Sequence, residues 1–305
     1  MDHHPADHAN PTNGVTHRGD TATGQAAAAT AYTTCGNSLM RMNRPLPRRL
    51  LGVWAHPDDE AYLSAGLMAR VIDAGGSVTV LTATRGEKGT DDPARYDSDD
   101  FGAAREQELR ASLARLGVTD VRFMGLRDGE CDIADDDRSV ARIAATIRDV
   151  QPDTIVTFGP DGITHHTDHR AVSRWTTEAW RRESVGDLFY AAMTHDYLAL
   201  HRELHDRLGL FGDVPGGRPA SVGRSRIGLE CDLTDTELDR KRAALAEHGS
   251  QTAGLATSMG EEAYRIWWRA ERFRRPTASE IARCDVPAWI QDADAPERAL
   301  VGATS

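Results

Sequence analysis

Short apolar runs alternate with longer segments of mixed polarity over residues 50–182. β-Branched runs such as SVTVLTAT (77–84) are typical of buried strands. The longer segments carry apolar residues three or four positions apart, which indicates helices with one buried face; Leu109, Leu113 and Leu116 form one such stripe. Strands are predicted at 50–55, 77–84, 120–126 and 153–159. Helices are predicted at 60–74, 101–118, 138–150 and 168–182.

The regular alternation of strands and helices predicts the class of fold. Strands separated by helices form parallel sheets, and the helices cover both faces of such sheets. After residue 184 the pattern weakens, although DLFYAAMT (187–194) is typical of a strand and 234–248 of a helix that begins at a threonine cap. We therefore expect an α/β protein with a mostly parallel sheet, helices on both faces and a smaller C-terminal α+β portion.

Composition divides the chain into a central domain and two flanking segments. Residues 1–46 are rich in Ala, Thr, Gly, Asn and His and show no apolar periodicity, which is typical of a disordered N-terminal extension. The domain is predicted to span residues 47–285, and residues 286–305 are predicted to form a C-terminal tail.

The formal net charge of −11 restricts the partners of the protein. An acidic chain repels nucleic acid and anionic membrane surfaces, so a small-molecule substrate is favoured. No apolar run approaches the roughly 20 residues that a membrane-spanning helix needs. No signal peptide is visible and the four cysteines are far apart, so a cytoplasmic protein is expected. The aromatic and basic stretch YRIWWRAERFRR (264–275) is predicted to pack in the core rather than on nucleic acid or an acyl chain.

The stretch AHPDDE (55–60) carries the first cluster of candidate functional residues, directly after the first predicted strand. His56 and Asp59 are three positions apart in a turn that leads into a helix, so both side chains can point at one centre. Imidazole and carboxylate ligands suit zinc. Asp58 is then a candidate general base that accepts a proton from water. The alternative is structural, because Asp58, Asp59 and Glu60 are also favoured at a helix N-terminus, where the helix dipole attracts negative charge.

The stretch HHTDH (165–169) carries the second cluster and follows the fourth predicted strand. In parallel sheets, ligands bind beyond the carboxyl ends of the strands. His169 can therefore complete a three-ligand metal site with His56 and Asp59, which leaves a position for water as catalytic zinc sites do. The alternative is a polar capping loop in which Thr167 or Asp168 begins the next helix.

Two more residues of the second cluster suit amide hydrolysis. His166, as an imidazolium, would stabilise an oxyanion or protonate a leaving amine. Asp168 would hold the His166 side chain in its tautomer and charge state, as the aspartate of a catalytic triad does. His165 is predicted to be exposed or to lie behind the ligands.

Together the two motifs resemble those of the de-N-acetylase family that includes LmbE-like proteins, N-acetylglucosaminyl-phosphatidylinositol deacetylase and the mycothiol-pathway deacetylases. The resemblance extends from about Leu50 to Phe273. Supporting segments are LTATRGEKG (81–89), REQELRASLARLGV (105–118), MGLRDGE (124–130) and KRAALAEHGSQ (241–251). The resemblance implies a Rossmann-like α/β fold and a zinc-dependent hydrolysis of an N-acyl group, usually an N-acetyl group on glucosamine.

The resemblance also implies a role for each matching residue. The metal-ligand positions are His56, Asp59 and His169. The general base is Asp58, the oxyanion-stabilising residue is His166, and its orienting partner is Asp168. The segments that contact the sugar in relatives correspond here to Arg105 and Asp128; the alternatives are a solvated helix residue for Arg105 and a turn residue for Asp128.

Two departures from the family pattern affect the second motif. Several relatives that act on sugars have a tyrosine where this chain has Thr164, so any acid-catalytic role of that tyrosine is vacant here or is filled from elsewhere. Thr167 replaces the proline of the common motif, which should change the stiffness of the loop but not the identity of the ligands.

The predicted function is that of a hydrolase with one Zn²⁺ per chain that removes an N-acyl group, in most relatives acetyl, from an amino sugar or a glucosamine-containing conjugate. An amidase that acts on a non-sugar or natural-product amide is the alternative. A non-haem iron oxygenase is less favoured, although two histidines and one carboxylate also form its facial triad. A module that only binds is the non-enzymatic alternative. A homo-oligomer is compatible with the sequence.

Overall fold

The computed structural model describes residues 45–90, 98–212 and 214–283. Its strands are β1 (Arg49–Trp54), β2 (Ser77–Thr82), β3 (Asp120–Phe123), β4 (Thr154–Phe158), β5 (Asp187–Ala191), β6 (Met193–Thr194), β7 (Ser221–Val222), β8 (Ile227–Asp232) and β9 (Ala270–Arg274). Its helices are α1 (Asp59–Asp73), α2 (Ser98–Leu116), α3 (Asp136–Val150), α4 (Thr167–Glu183), α5 (His195–Leu200), α6 (Arg202–Leu208), α7 (Asp235–Glu247), α8 (Gly249–Met259), α9 (Glu261–Trp267) and α10 (Ala278–Arg283).

A seven-stranded sheet in the order β3-β2-β1-β4-β5-β9-β8 organises the described residues. The five strands from β3 to β5 pair in parallel, whereas β9 pairs antiparallel with both β5 and β8. The predicted α/β class with a mostly parallel sheet is confirmed. The C-terminal part of the chain adds its two longer strands to the edge of the same sheet, and its helix α7 packs on α1 and α2.

The central strands are apolar on both faces because helices cover both sides of the sheet. All residues of β4 are buried, and all residues of β1 except Arg49 are buried. A smaller apolar cluster lies between the start of α1 and the C-terminal helices and includes Tyr264 and Trp267. This burial confirms the prediction that the aromatic stretch 264–275 packs in the core.

The predicted flanking segments lie almost entirely outside the described residues. This applies to residues 1–44 of the N-terminal extension and to the whole C-terminal tail at 286–305, so the domain boundaries stay a prediction. Within the part of the chain that the structure describes, none of the helices combines the length and apolar character needed to cross a bilayer.

A buried ion pair fixes α1 against the C-terminal strands. The Glu271 carboxylate accepts hydrogen bonds from Lys241 Nζ at 2.7 Å and from the backbone N–H groups of Gly66 and Leu67 at 2.8 Å each. Lys241 Nζ also donates to the Tyr62 carbonyl at 2.7 Å, and both charged side chains are 1% exposed. Since removing charges from water is costly unless each is paired and hydrogen-bonded, these contacts are what make the burial of this pair tolerable.

We expect Lys241→Ala to lower the free energy of unfolding by about 3–5 kcal/mol, because Glu271 would retain a buried charge without its cation. Chemical denaturation followed by circular dichroism measures this loss. Arg110→Ala is the matched control, since Arg110 pairs with Glu106 at 2.8 Å while its side chain is 49% exposed. This control should lose less than about 1 kcal/mol. Equal losses in the two variants would contradict the role assigned to the buried pair.

Candidate metal centre

Both sequence motifs lie at the carboxyl edge of the sheet, where two neighbouring strands end. The first motif follows β1, the second follows β4, and these strands pair in parallel. The turn after β1 places His56 opposite the first turn of α4, which carries His169. As a result, His56 Nδ1 and His169 Nε2 lie 3.2 Å apart although 113 positions separate them in the chain. The predicted meeting of the two motifs is confirmed.

Three side chains form a triangle of donor atoms at this edge. Asp59 Oδ2 lies 3.7 Å from His56 Nδ1, and Asp59 Oδ1 lies 3.5 Å from His169 Nε2. Ligands bound tetrahedrally to zinc at 2.0–2.2 Å stand about 3.3–3.6 Å from one another. The separations of 3.2, 3.5 and 3.7 Å are close to that spacing, with the two carboxylate distances measured to different oxygens of Asp59, of which Oδ2 also accepts the His56 N–H at 2.8 Å. The donor set therefore fits a small divalent cation.

The hydrogen bonds around the two imidazoles direct their free nitrogens toward each other. His169 Nδ1 donates to the Gly162 carbonyl at 2.9 Å. His56 Nε2 faces Asp128 Oδ1 at 3.1 Å and Asp168 Oδ2 at 3.2 Å. These partners hold a proton on the outer nitrogen of each ring, which leaves lone pairs on the inner nitrogens. Two lone pairs beside a carboxylate repel one another unless a metal ion or a proton lies between them.

The described residues contain two overlapping groups that could hold a metal ion, and they share His56. One group adds His166 and His169, and the other adds Asp128 and Asp168. Asp168 accepts hydrogen bonds from the backbone N–H groups of Gly129 at 2.7 Å and Cys131 at 3.1 Å. Backbone donors bind both oxygens of Asp168, whereas in Asp59 only Oδ2 accepts a backbone N–H among the described contacts, so the second group is better suited to orient His56 than to hold an ion.

Burial and neighbouring charges shift the pKa values of the two imidazoles in opposite directions. Burial lowers the pKa of His56, but the carboxylates of Asp128, Asp168 and Asp59 outweigh burial and raise it to about 10. Burial lowers the pKa of His169 well below its usual value, and the positive charge of His56 lowers it further. Without a metal ion, the proton shared by the pair therefore resides on His56.

Asp58 occupies a constrained backbone position at the start of α1. Its φ of 118° is rare for a residue with a side chain, and such conformations cost about 1–3 kcal/mol. Its carbonyl accepts hydrogen bonds from the N–H groups of Ala61 and Tyr62 at 3.0 Å each. Arg105 lies 3.3 Å from Asp58 Oδ2. Burial raises the pKa of Asp58 to about 7, although the charge of Arg105 opposes this rise.

The described contacts of Arg105 and Asp128 are all with other groups of the protein. Arg105 is 3% exposed and donates to the carbonyls of Gly86 at 2.9 Å and Pro57 at 2.5 Å. Asp128 is 7% exposed and accepts from the Lys88 N–H at 2.9 Å in addition to facing His56. Their predicted contact with a sugar stays a prediction.

His166 lies on the open side of the centre and is exposed. Its ring centroid is 4.8 Å from that of His56 and 5.1 Å from that of His169. Its Nδ1 accepts the Asp168 N–H at 3.2 Å, so His166 itself caps α4. The alternative that placed the cap at Thr167 or Asp168 is therefore wrong. The predicted orientation of His166 by the Asp168 carboxylate stays a prediction, since that carboxylate lies against His56.

His248 lies in KRAALAEHGSQ (241–251), one of the segments that support the family resemblance, but the sequence alone predicts no function for it. His248 and Glu60 are both fully buried, and His248 Nε2 lies 2.9 Å from Glu60 Oε1. Glu60 Oε2 accepts the backbone N–H of Asp58 at 3.0 Å. Burial lowers the pKa of His248, but the Glu60 carboxylate outweighs burial and raises it. The pair thus holds the backbone of Asp58 from the interior.

Comparison with known proteins identifies relatives of this chain. Residues 51–180 match the family described as PIG-L: GlcNAc-PI de-N-acetylase. A 1D-myo-inositol 2-acetamido-2-deoxy-alpha-D-glucopyranoside deacetylase of Thermobifida fusca is 32% identical over 244 residues, which cover 69% of this chain and 85% of the relative. The enzyme of the same name from Streptomyces scabiei is 37% identical over 260 residues, which cover 69% of this chain and 79% of the relative.

The fold is also similar to that of solved structures. The N,N'-diacetylchitobiose deacetylase of Pyrococcus horikoshii superposes with a TM-score of 0.53 and 19% sequence identity. The superposition covers 89% of this chain and 98% of the deacetylase chain. At this level of identity, the likeness concerns the fold alone.

We expect Glu60→Ala to lower the free energy of unfolding by about 3–5 kcal/mol, because His248 and the Asp58 N–H would lose their buried acceptor. Glu60→Gln should cost less, since its amide oxygen can still accept the Asp58 N–H. Urea denaturation gives both values. Glu262→Ala, at an exposed position of α9, is the control and should stay within about 0.5 kcal/mol of the parent protein. A loss of that small size for Glu60→Ala would show that the pair does not stabilise the turn.

Proposed function

This chain belongs to the PIG-L (GlcNAc-PI de-N-acetylase) family, and we propose that it is a metal-dependent amide hydrolase that removes an acetyl group from an amino sugar or a glucosamine-containing conjugate. One observation carries the proposal: the Asp58 carboxylate is near enough to the triangle formed by His56, Asp59 and His169 to interact with the charge of Asp59, and the exposed imidazole of His166 borders both histidines. Hydrolysis of an amide needs both a proton acceptor and a group that stabilises negative charge.

We propose zinc as the cofactor, with one ion per chain held by His56, Asp59 and His169. The mixture of two imidazole nitrogens and one carboxylate suits zinc, and three protein ligands are typical of its catalytic sites. When bound, the ion would supply a Lewis acid that polarises the amide carbonyl and makes water more acidic. Asp168 and Asp128 support this ligand set, because they fix the tautomer that presents His56 Nδ1.

Asp58 is the proposed general base. Arg105 lies against Asp58 Oδ2, which leaves Oδ1 as the atom that takes a proton from the attacking water. The hydrogen bond from the Asp58 N–H to Glu60 Oε2 fixes the backbone of Asp58, and the contact with Arg105 fixes its carboxylate. A base held in this way loses little freedom on reaching the transition state, which favours proton transfer.

His166 is the proposed stabiliser of the developing oxyanion. Its exposed ring borders the rings of both histidine ligands, which puts it within reach of a carbonyl bound at the centre. Its Nδ1 accepts the Asp168 N–H, so Nε2 carries the ring proton and can donate a hydrogen bond toward the developing oxyanion. The proton that Asp58 takes from the attacking water can then pass to the departing amine, which restores the Asp58 carboxylate.

We expect Asp58→Asn to lower kcat by about 10²–10⁴-fold, the usual contribution of a general base, while metal content stays unchanged. Release of free amine from a panel of N-acetylglucosamine glycosides, read with an amine-reactive dye, measures the rate. Asp100→Asn, at an exposed position of α2, is the control for the loss of one negative charge. A near-normal rate for Asp58→Asn would disprove the assignment of the base.

We expect His169→Ala to lose stoichiometric zinc, since only two of the three proposed ligands would remain. Elemental analysis of dialysed protein measures zinc per chain. His165→Ala is a control from the same loop, because His165 does not belong to the proposed ligand set, and it should keep the metal. Retention of a full equivalent by His169→Ala would refute the ligand set.

A further inference from the structure

The backbone of the loop that follows β4 is strained at Ile163. The φ angle of Ile163 is 63°, and the Thr164 N–H donates to the Gly162 carbonyl, two positions earlier, at 2.7 Å. A hydrogen bond that spans three residues with positive φ at the central one is the rare and strained form of the γ-turn. Positive φ is especially unfavourable for a β-branched residue such as isoleucine. Other contacts must therefore hold this turn in place.

Strain of this kind is concentrated at the metal centre. Among the residues that the structure describes, five other than glycine have positive φ. Gln151 and Ser184 are C-caps of helices, where the left-handed conformation is common. The other three are Asp58, Ile163 and His165, and they lie in the two loops that carry the metal motifs. Strained backbone persists where its surroundings fix it, and it clusters at functional sites.

The turn is held by its own hydrogen bonds and by the side chain of Ile163. The Ile163 N–H donates to Asp161 Oδ2 at 3.2 Å, and the Gly162 N–H donates to the Gly159 carbonyl at 2.9 Å. The Ile163 side chain is buried and belongs to the main apolar core. Burial of this side chain offsets the cost of the backbone conformation. Ile163 thus anchors the turn, which glycine at the same position would not do.

The turn presents the Gly162 carbonyl to His169. The oxygen that accepts the Thr164 N–H also accepts the His169 Nδ1–H at 2.9 Å. A Cβ atom at Gly162 would lie 2.9 Å from the His169 Cβ, so a side chain there would displace the ring. The His169 ring also stacks on Phe158, with 4.1 Å between centroids and 12° between planes. The stack fixes the plane of the ring, and the carbonyl holds the proton on Nδ1, which leaves the lone pair on Nε2.

We propose that Ile163 is a positioning residue for the metal ligand His169. Its buried side chain holds the strained turn, the turn directs the Gly162 carbonyl, and the carbonyl keeps the Nε2 lone pair of His169 directed at the centre. The proposal rests on the proposed function, because it takes His169 as a ligand. Ile163 acts on the centre through the backbone, without supplying a ligand atom.

The first test measures the affinity for zinc by competition with a chromogenic chelator. Ile163→Ala removes the anchor but keeps the unfavourable φ, so zinc should bind about 10–100-fold more weakly, as when a contact behind a ligand is lost. Ile163→Gly also removes the anchor, but glycine adopts positive φ without steric cost. It should therefore bind zinc about fivefold more tightly than Ile163→Ala. If the side chain only filled space, Ile163→Gly would bind zinc no more tightly than Ile163→Ala.

Ile143→Ala is the matched control. Ile143 is a fully buried isoleucine of α3 in the same apolar core, outside the loops of the centre. Its truncation should destabilise the fold but leave the affinity for zinc within about twofold of that of the parent protein. If Ile163→Ala fails to fold, Ile163→Val replaces it and should weaken zinc binding by about threefold, whereas Ile143→Val should leave it unchanged.

A second measurement needs no metal. NMR of protein labelled with ¹⁵N-histidine shows which ring nitrogen of His169 carries the proton. In the metal-free parent protein and in Ile163→Gly, the proton should reside on Nδ1, whereas in Ile163→Ala part of it should move to Nε2. If the parent protein binds no zinc, the ligand set of the proposed function fails, and this measurement alone decides whether the turn sets the state of the ring.

Two outcomes would overturn the positioning role and leave the proposed function intact. One is an affinity for zinc that is equal in the parent protein, Ile163→Ala and Ile163→Gly, or that is no higher in Ile163→Gly than in Ile163→Ala. The other is a His169 ring proton that stays on Nδ1 in Ile163→Ala.

Discussion

The approach of His56 Nδ1 to His169 Nε2 is the constraint on which the rest of this centre depends. Two buried nitrogens with inward lone pairs repel each other, so the protein must hold both rings in place from outside. It does so with the Gly162 carbonyl on one ring and with the carboxylates of Asp128 and Asp168 on the other. The parallel pairing of β1 with β4 sets the distance between the two rings. A metal ion turns this repulsion into attraction, whereas a proton does so only in part.

The carboxylates of the centre raise a second physical problem, which is the accumulation of negative charge in a buried region. Three of these carboxylates are each stabilised by a different partner. Asp168 is held by two backbone N–H groups, Asp58 faces the guanidinium of Arg105, and Glu60 faces His248. Since these partners come from separate loops and helices, they disperse the charge over the surrounding structure and keep the triangle of donor atoms available for an ion.

Much of this arrangement was predictable from sequence, and the rest was not, for physical reasons. Periodicity located the first five strands and the helices between them, and the carboxyl-end rule brought the two motifs together. The partners of individual side chains depend on tertiary distances that periodicity does not contain. Asp168 follows His166 closely in sequence, yet its carboxylate faces His56. Likewise, nothing local linked His248 to Glu60, which precedes it by 188 positions.

The first turn of α1 shows how a short segment can serve several purposes without conflict. Successive residues of a helix project about 100° apart, so neighbours in sequence face different surroundings. Asp59 faces the two histidines, Asp58 faces Arg105, Glu60 faces the interior at His248, and Tyr62 packs on Trp268. A structural role and the proposed chemistry are therefore compatible at AHPDDE: Asp58 precedes the first helical residue with a φ of 118°, and the start of the helix sends its acidic side chains in three directions.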